Sequence, residues 1–281
     1  MTILDGKAPS QKIKQNVKDE VLKLQKEKNI TPGLAVILIG NDPASATYVN
    51  MKSKACKEAG IYSIVHEMPD SITQENILET IAMMNANPNI DGILVQLPLP
   101  PQLDTNEVLE AINPDKDVDG FHPTNVGKLC TNLDGFKPAT PYGVMKIFEE
   151  YKIELEGKDC VIVGASNIVG KPMASMLLNA NATVSICHIH TKDLASYTKN
   201  ADIICVGVGV VNLIKEDMIK DGAIVIDIGI NRLENGKLTG DVDFEKVSPK
   251  CSYITPVPGG VGPMTIAMLL DNTVKSAKMR L

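Results

Sequence analysis

The sequence alternates short apolar runs with helical repeats, and it does so in both halves of the chain. Runs that predict buried strands cover residues 34–40, 61–66, 92–97, 159–164, 183–188, 201–208 and 223–230. Apolar residues at helical spacing predict helices over residues 10–28, 48–59 and 74–85. Strands that alternate with helices in this way form parallel sheets, because a parallel neighbour is reached only through a long crossover connection. The sequence therefore predicts an α/β fold.

A stretch rich in proline and glycine divides the two series of strands. Residues 98–138 contain LPLPPQL and NPDKDVDG, which are typical of loops. After them Thr140 predicts a helix start, as an N-cap followed by proline at the first helical position. We expect two α/β domains flanking a cleft: residues 1–138, and residues 139–259 with a Rossmann-like doubly wound parallel sheet. A final helix within about residues 260–281 is expected to pack back on the first domain and complete it.

Charge and composition exclude several classes of partner. Lys and Arg number 28 against 34 Asp and Glu, a net charge of −6, and a mildly acidic chain is a poor match for nucleic acid or an anionic membrane. Aromatic residues make up only 4% of the chain, so base-stacking surfaces are not expected. No apolar run approaches the ~20 residues of a membrane span, and Asp5 and Lys7 stand where a signal peptide would be apolar. We expect a cytoplasmic protein with a small-molecule substrate.

The cysteines are widely separated in the sequence. They are Cys56, Cys130, Cys160, Cys187, Cys205 and Cys251. They form neither a CxxC pair nor a His/Cys cluster with the spacing of metal ligands. We therefore expect buried, reduced thiols and no metal site.

A loop of small residues follows the first strand of the second half. It lies between this strand and an apolar helix and reads Gly164-Ala165-Ser166-Asn167-Ile168-Val169-Gly170. In that context small residues let backbone N–H groups approach a pyrophosphate at a helix N-terminus. The spacing is Gly-x-Ser-x-x-x-Gly rather than Gly-x-Gly-x-x-Gly, and a tight strand-to-helix turn is the alternative. With further strands following it, the loop favours dinucleotide binding.

The end of the next strand bears on which dinucleotide binds. NAD sites usually have an acidic residue there, ~20 residues after the loop, that binds the ribose 2′-hydroxyl. In this chain the strand ends in CHIHTK, residues 187–192, and the first acid is Asp193. These donors suit a 2′-phosphate and favour NADP over NAD. No arginine is present for a bidentate phosphate contact, and a polar surface loop is the alternative.

Three polar side chains in the first half are candidates for chemistry. Tyr48 and Lys52 are four residues apart in a predicted helix, which puts them on one face. A lysine shielded from water in a cleft binds its proton less tightly and can act as an acid or a base. Gln96 ends an apolar strand at the carboxyl edge of the predicted parallel sheet, where ligands usually bind. A solvated helix face and a solvated strand end are the alternatives.

Two loops add further candidates. Asp117 and Asp119 lie in NPDKDVDGFHP, where a carboxylate can accept paired hydrogen bonds from an amidine-like edge. Ordinary turn chemistry is the alternative for both acids. The segment PVPGGVGP, residues 256–263, is too rigid and too rich in glycine for a routine linker and precedes a helix N-terminus.

Six segments of the chain carry a combined signature, and they are, in order, SATYVNMKSKA, DGILVQLPLP, DKDVDGFHP, VGASNIVGKP, DIGIN and TPVPGGVGPMT. Taken together and in this order, they resemble the signature of the bifunctional methylenetetrahydrofolate dehydrogenase/methenyltetrahydrofolate cyclohydrolase family. The resemblance covers essentially the whole chain. It implies oxidation of 5,10-methylenetetrahydrofolate to 5,10-methenyltetrahydrofolate with NADP⁺, followed by hydrolysis to 10-formyltetrahydrofolate, in one-carbon folate metabolism.

The resemblance also implies roles for individual residues. Lys52 would be the central catalytic residue, with Gln96 positioning its amine and Tyr48 ordering and stacking on the folate. Asp119 would bind the amino-pyrimidine edge of the pterin. The folate pocket would also be lined by Pro258, Gly259 and Gly260. The residues that would contact NADP are Thr140, Gly164, Ala165, Ser166, Ile189 and Ile230.

One departure from the family pattern concerns the cofactor. Some relatives carry an arginine directly after the first glycine, where this chain has Ala165. NADP specificity would therefore rest on Ser166, His188 and His190. A dehydrogenase without cyclohydrolase activity is one alternative function, and a non-catalytic module that senses NADP is another. The resemblance also implies a homodimer.

Overall fold

A computed structural model describes residues 1–280 of the chain. The chain divides into two compact units, each built on a parallel sheet. The six-stranded unit comprises residues 1–10, 129–133 and 140–265. The three-stranded unit comprises residues 11–128 and 134–139 and the chain from Ile266 onward. The α/β class predicted from the alternation is confirmed.

The first part of the chain contains all three strands of the smaller sheet, together with the first strand of the chain, which belongs to the larger sheet. Its elements are β1 (Thr2–Ile3), α1 (Lys7–Lys28), β2 (Gly33–Ile39), α2 (Pro43–Ala59), β3 (Tyr62–Met68), α3 (Gln74–Ala86), β4 (Gly92–Val95), α4 (Thr105–Glu110) and α5 (Pro123–Cys130). The three-stranded sheet has the order β3-β2-β4, with both pairs parallel. The central strand β2 reads GLAVILI and is buried at every position, as expected of a parallel strand covered on both faces.

The second part of the chain forms most of the larger sheet. Its elements are α6 (Ala139–Glu150), β5 (Asp159–Val163), α7 (Gly170–Asn179), β6 (Thr183–Cys187), α8 (Leu194–Thr198), β7 (Ile203–Val206), β8 (Ile224–Asp227), β9 (Asn231–Arg232), β10 (Leu238–Thr239), α9 (Phe244–Val247), β11 (Tyr253–Ile254) and α10 (Val261–Lys278). The sheet order is β1-β11-β8-β7-β5-β6, with every pair parallel. The strand order reverses at β5, which pairs with β6 on one side and β7 on the other. Ligands of doubly wound sheets bind at the carboxyl ends of the strands at such a switch point.

Short elements account for most differences from the predicted pattern. Residues 98–138, predicted as loop, contain α4 and α5. The two-residue strands β1 and β11 extend the large sheet, and β9 and β10 pair as an antiparallel hairpin. Because β1 pairs with β11, residues 1–10 belong to the six-stranded unit, although the sequence places them in the first domain. Elements this short are too brief for a hydrophobic period to indicate them.

Three helix starts also differ from prediction, and the first is that of α1, which begins at Lys7 instead of residue 10. α2 begins earlier, at Pro43, because the Asp42 side chain caps it by accepting a hydrogen bond from the Ser45 N–H at 2.7 Å. Thr140 lies inside α6 instead of at its N-cap. Its hydroxyl bonds to that of Thr265 at 3.1 Å, so this threonine serves tertiary packing and not capping.

The C-terminal helix packs on the three-stranded unit, as predicted. The Asn272 side chain donates to the carbonyls of Val118 and Lys137 at 2.8 and 3.0 Å. The Ser276 hydroxyl donates to the Asp91 carbonyl at 2.6 Å. Neither α10 nor another helix described between residues 1 and 280 is long and apolar enough to cross a membrane.

All six cysteines are free, as their spacing predicts. Burial raises the pKa of Cys160 to about 12, and it raises the pKa of Cys205 well above the ordinary value. Cys130 was expected to be buried, and that expectation is wrong. It is exposed because it ends α5 and is followed by a solvent-exposed turn.

A buried carboxylate ties the starts of β2 and β4 to the end of the chain. Asp91 is 2% exposed and accepts the Gly33 N–H at 2.8 Å. Arg280 binds the same carboxylate through Nε at 2.7 Å and Nη2 at 2.8 Å, the fork geometry that suits a guanidinium group. Its Nη1 donates to the Pro88 carbonyl at 2.7 Å. Arg280 thus connects the residues after α10 to the start of β4 in the three-stranded unit.

Replacing Arg280 with alanine is expected to lower the free energy of unfolding by about 2 kcal/mol, because Asp91 is left buried without its bidentate partner. Urea denaturation measures the effect. Lys246→Ala is the control, since it removes a pair with Asp243 in which the lysine side chain is 69% exposed. That variant should lose less than about 0.5 kcal/mol. Equal losses in both variants would contradict a stabilising role for the buried pair.

Candidate active site

Lys52 and Gln96 are in direct contact. Lys52 lies on α2 one turn after Tyr48, so both side chains lie on one face of the helix. The Gln96 N–H donates to the Ile37 carbonyl at 2.9 Å, which continues the β2–β4 pairing and holds Gln96 at the carboxyl edge of the sheet. There Lys52 Nζ donates to Gln96 Oε1 at 3.0 Å. Gln96 Nε2 donates to the Leu97 carbonyl at 2.8 Å, so the amide oxygen is the atom held toward the amine.

Lys52 and Asp119 each affect the protonation of the other. Both side chains are half-buried. Burial lowers the pKa of Lys52, and the negative charge of Asp119 partly offsets this effect. Burial raises the pKa of Asp119 to about 6, although the Lys52 charge opposes the shift. A lysine that releases its proton more readily than a free amine, beside a carboxyl that titrates near neutrality, suits proton transfer.

The structure separates the two acids of the DVD loop. Asp117 is 1% exposed, and its carboxylate accepts the N–H groups of Phe121 and His122 at 3.1 and 2.9 Å. The Asn125 side chain donates to it at 2.9 Å. Asp117 therefore holds the turn that leads into α5. Within residues 1–280 no group donates a hydrogen bond to the Asp119 carboxylate, which leaves both of its oxygens for a ligand.

Cys56 belongs to the surroundings of Lys52, although the sequence does not single it out. It lies one turn after Lys52 on α2 and is fully buried. Burial raises the pKa of its thiol to about 12, with a smaller opposing effect of the Lys52 charge. The neutral thiol extends the dry surroundings of the amine. Its i, i+4 spacing from Lys52 is the signal that could have indicated it.

The glycine loop turns tightly between β5 and α7. Gly164 has a φ of +121°, a conformation that side chains disfavour. A Cβ on Gly170 would lie 1.9 Å from the Gly164 carbonyl oxygen, so the two ends of the loop touch. Ser166 Oγ accepts the N–H groups of Val169 and Gly170 at 3.1 and 3.3 Å. The loop is thereby held in one conformation at the start of α7.

This loop leaves backbone N–H groups for a ligand. In the described part of the chain, the N–H groups of residues 165–168 donate to no acceptor. An anion suits such groups and the positive end of the helix that follows them. A Cβ on Gly164 would lie 2.8 Å from the Gly207 carbonyl oxygen, which shows that the ends of β5 and β7 meet here. The loop fits the pyrophosphate of a dinucleotide.

The end of β6 carries the residues predicted to select the cofactor. His188 and His190 are exposed, and their ring centroids lie 5.8 Å apart. The His188 N–H donates to Thr191 Oγ1 at 2.9 Å, which fixes the turn after the strand. Ile189 is 93% exposed, and Ile230, beyond the end of β8, is 43% exposed. Polar donors and exposed apolar side chains therefore meet solvent along the carboxyl edge of this sheet.

The remaining predicted residues fall into both units. Thr140 is half-buried in α6. Pro258, Gly259 and Gly260 lie directly before α10, where the Gly6 N–H donates to the Gly259 carbonyl at 3.0 Å. A Cβ on Gly6 would lie 1.8 Å from the Gly260 carbonyl oxygen. These residues belong to the six-stranded unit, whereas the three-stranded unit holds Tyr48, Lys52, Gln96 and Asp119. That the two groups face one substrate across a cleft stays a prediction.

Comparison with known proteins decides the family. Residues 4–119 match the model of the tetrahydrofolate dehydrogenase/cyclohydrolase catalytic domain. Residues 138–281 match the model of the NAD(P)-binding domain of the same family. The chain belongs to the tetrahydrofolate dehydrogenase/cyclohydrolase family.

Relatives in the tetrahydrofolate dehydrogenase/cyclohydrolase family match this chain over essentially their full length. The Bifunctional protein FolD of Sulfurovum sp. (strain NBC37-1) is 69% identical, with 100% of each chain covered. The solved structure of the bifunctional enzyme FolD, methylenetetrahydrofolate dehydrogenase/cyclohydrolase, from Campylobacter jejuni has 62% identity and a TM-score of 0.98, with 100% of each chain covered. The N5,N10-methylenetetrahydrofolate dehydrogenase-cyclohydrolase (FolD) of Trypanosoma brucei, solved with NADP cofactor and inhibitor, has 36% identity and a TM-score of 0.96 over 100% of this chain and 98% of that chain. The resemblance inferred from the six segments is confirmed.

Proposed function

We propose that this chain oxidises 5,10-methylenetetrahydrofolate to 5,10-methenyltetrahydrofolate with NADP⁺ and hydrolyses that product to 10-formyltetrahydrofolate. The observation that carries the proposal is the 3.0 Å contact of Lys52 Nζ with Gln96 Oε1, near a carboxyl, Asp119, whose pKa is raised to about 6. Membership of the family and the geometry of the glycine loop support the oxidative step.

We assign proton transfer in the hydrolysis to Lys52. Water that attacks the methenyl carbon loses one proton as the C–O bond forms. When the C–N bond breaks, the ring nitrogen gains a proton and the former water oxygen releases its second proton to solvent, so that one proton is released overall. An amine with a lowered pKa can take up a proton in the first step and return it in the second. The methenyl substrate is a cation, and its charge beside the amine lowers the pKa of Lys52 further. Gln96 Oε1 accepts one N–H of the amine and so orients the rest of it.

Folate binding is assigned to residues around this amine. Asp119, whose carboxylate accepts no hydrogen bond from the described residues, would accept paired N–H groups from the amino-pyrimidine edge of the pterin. With a pKa of about 6 its charged form prevails at neutral pH. Tyr48, one turn before Lys52 on α2, would stack on the folate. Pro258, Gly259 and Gly260 would line the same pocket.

The dinucleotide is assigned to the carboxyl edge of the six-stranded sheet. When bound, NADP⁺ supplies the acceptor for the hydride of the methylene carbon. The N–H groups of residues 165–168 would hold the pyrophosphate, and the ring donors of His188 and His190 would favour the 2′-phosphate of NADP over the 2′-hydroxyl of NAD. Further contacts are assigned to Thr140, Gly164, Ala165, Ser166, Ile189 and Ile230.

The domain roles follow from these assignments. We assign folate binding and the chemistry of Lys52 to residues 1–138, completed by about residues 260–281, and NADP binding to residues 139–259. The family models, which match residues 4–119 and 138–281, support a division near residue 138. We place the enzyme in the cytoplasm, as the charged residues Asp5 and Lys7 near the start of the sequence favour. We propose that it is a homodimer, as the family resemblance implies.

Mixing the purified protein with methylenetetrahydrofolate and either NADP⁺ or NAD⁺ tests the proposal. The absorbance of reduced nicotinamide and that of the methenyl product are followed separately. We expect faster reduction of NADP⁺ than of NAD⁺, and hydrolysis of added methenyltetrahydrofolate well above its rate in buffer. Reduction without enhanced hydrolysis would indicate a dehydrogenase alone. Binding of NADP⁺ without either reaction would indicate a sensing module.

A further inference from the structure

Two buried acids lie next to each other near the carboxyl end of β8 in the six-stranded sheet. Asp227 is the last residue of β8, and Asp241 follows β10. They are 4% and 0% exposed. Two carboxylates are buried together only where hydrogen bonds compensate for the loss of water. The groups that donate to them show what the pair holds in place.

Asp241 joins the chain after β7 to the chain after β8. Its Oδ2 accepts the N–H groups of Val208 and Gly209 at 2.6 and 3.0 Å. Its Oδ1 accepts a hydrogen bond from Asn231 Nδ2 at 2.9 Å. Hydrogen bonds to a charged acceptor are about twice as strong as those between neutral groups. One side chain therefore fixes two separate loops.

Asp227 fixes the position of Asp241 in turn. Its Oδ1 accepts the N–H groups of Asp241 and Gly229, both at 3.0 Å. Its Oδ2 accepts the N–H of Val242 at 2.9 Å. Burial, assisted by the charge of Asp241, raises the pKa of Asp227 to about 6. The backbone of Asp241 and its carboxylate are thus both held by hydrogen bonds.

Two glycines make room for the two carboxylates. A Cβ on Gly229 would lie 2.3 Å from Asp241 Cγ. A Cβ on Gly240 would lie 1.9 Å from Asp227 Oδ2. A side chain at either glycine would displace a carboxylate, so the backbone itself is built around the acidic pair.

The loops that Asp241 fixes lie at the carboxyl edge to which the cofactor is assigned. Val208 approaches the glycine loop, since a Cβ on Gly164 would lie 3.0 Å from Val208 Cγ1. Val208 is 39% exposed and Ile230, next to Asn231, is 43% exposed. Apolar side chains exposed at such an edge can contact a bound ligand.

We infer that Asp241 is a positioning residue for the dinucleotide. Through the backbone of Val208 and Gly209 and the side chain of Asn231, it keeps Val208 and Ile230 in place against the cofactor. The inference rests on the proposed function, because it takes NADP as the ligand. It does not involve Lys52, which lies in the three-stranded unit. Cofactor binding should therefore depend on Asp241, and hydrolysis should not.

Asp241→Asn tests the inference. Asparagine keeps the shape of aspartate, but its NH₂ group would face one of the N–H donors. We expect the Kd of NADP⁺, measured by isothermal titration calorimetry, to rise at least about tenfold, the effect of losing one hydrogen bond to a charged group. Hydrogen exchange of the Val208 and Gly209 amides should accelerate in the protein without cofactor. Hydrolysis of methenyltetrahydrofolate should keep its wild-type rate.

Two further variants complete the test. Asp243→Asn makes the same change in the same segment, in an acid that pairs with the exposed Lys246 at 3.0 Å, and it should keep the wild-type Kd for NADP⁺. Asn231→Ala removes one of the three donors to Asp241. It should raise the Kd by at least about threefold, because it frees the loop after β8 while the Val208 and Gly209 donors still hold the loop after β7. It also serves as the decisive variant if Asp241→Asn does not fold.

The outcomes separate this inference from the proposed function. A wild-type Kd in Asp241→Asn, or in Asn231→Ala where it is decisive, overturns the positioning role. Equal losses of NADP⁺ binding and of hydrolysis in Asp241→Asn also overturn it, since they indicate general destabilisation. Failure of the wild-type protein to bind NADP⁺ contradicts the proposed function itself and the inference with it.

Discussion

Replacing Lys52 with alanine is expected to lower the rate of methenyltetrahydrofolate hydrolysis by about 10³-fold or more. The variant removes the amine that contacts Gln96 Oε1 and whose pKa is lowered by burial. A positioned acid–base group typically contributes about 10²–10⁴-fold, and here the same group would serve both the attack of water and the opening of the ring. The rate is measured from the loss of methenyl absorbance, without cofactor.

Matched variants distinguish the chemistry of this amine from the packing of its side chain. Lys52→Met keeps most of the side-chain volume and should be as inactive as Lys52→Ala. Lys54→Ala removes a lysine of the same helix whose side chain is 78% exposed, and it should hydrolyse at the wild-type rate. Binding of NADP⁺ should persist in all three proteins. Hydrolysis by Lys52→Ala at close to the wild-type rate would remove Lys52 from the mechanism.

Replacing Gly170 with alanine is expected to lower the dehydrogenase rate by more than about 10²-fold, because ångström-scale displacements at a binding site have effects of this size. The added Cβ would lie 1.9 Å from the Gly164 carbonyl oxygen and 2.7 Å from its carbon. These are backbone atoms, so the loop whose N–H groups are assigned to the pyrophosphate must move. Reduction of NADP⁺ and its Kd measure the effect, and hydrolysis of methenyltetrahydrofolate should continue.

Gly127→Ala is the control for this substitution. Gly127 lies in α5, where an added Cβ would meet no atom within 4 Å. Alanine there should leave both activities unchanged and stabilise the helix by up to about 1 kcal/mol. Normal reduction of NADP⁺ by Gly170→Ala would show that the glycine loop does not bind the dinucleotide.

The two sheets could be predicted from the sequence because their central strands are continuously apolar. β2 in the three-stranded sheet and β7 in the six-stranded sheet are buried at every position, and such runs between turn signals have few other structural solutions. Helix starts are less predictable. Asp42 and Thr140 each precede a proline, yet only Asp42 caps a helix, while Thr140 lies inside α6. The capping signal is the same, and tertiary packing decides between the two outcomes.

Only part of the candidate site could likewise be predicted from the sequence. Spacing indicates that Tyr48 and Lys52 share a helix face, and position indicates that Gln96 ends a strand. The 3.0 Å contact between Lys52 and Gln96 depends on how α2 packs on the sheet, which no local pattern encodes. Asp117 and Asp119 look equivalent in the sequence. Only the fold gives Asp117 three donors and leaves Asp119 without any among the described residues.

The three-stranded unit is completed late in translation, because Asp91 binds Arg280 and the unit includes the chain from Ile266 onward. Residues 11–128 leave the ribosome early, but the same unit needs the chain from Ile266 onward. At about 5–20 residues per second, the ribosome takes roughly 7–27 seconds to add the sequence in between. During that time the nascent surface that α10 later covers is open to chaperones. The three-stranded unit therefore becomes complete only after the segment that contains α10 and Arg280 has been synthesised.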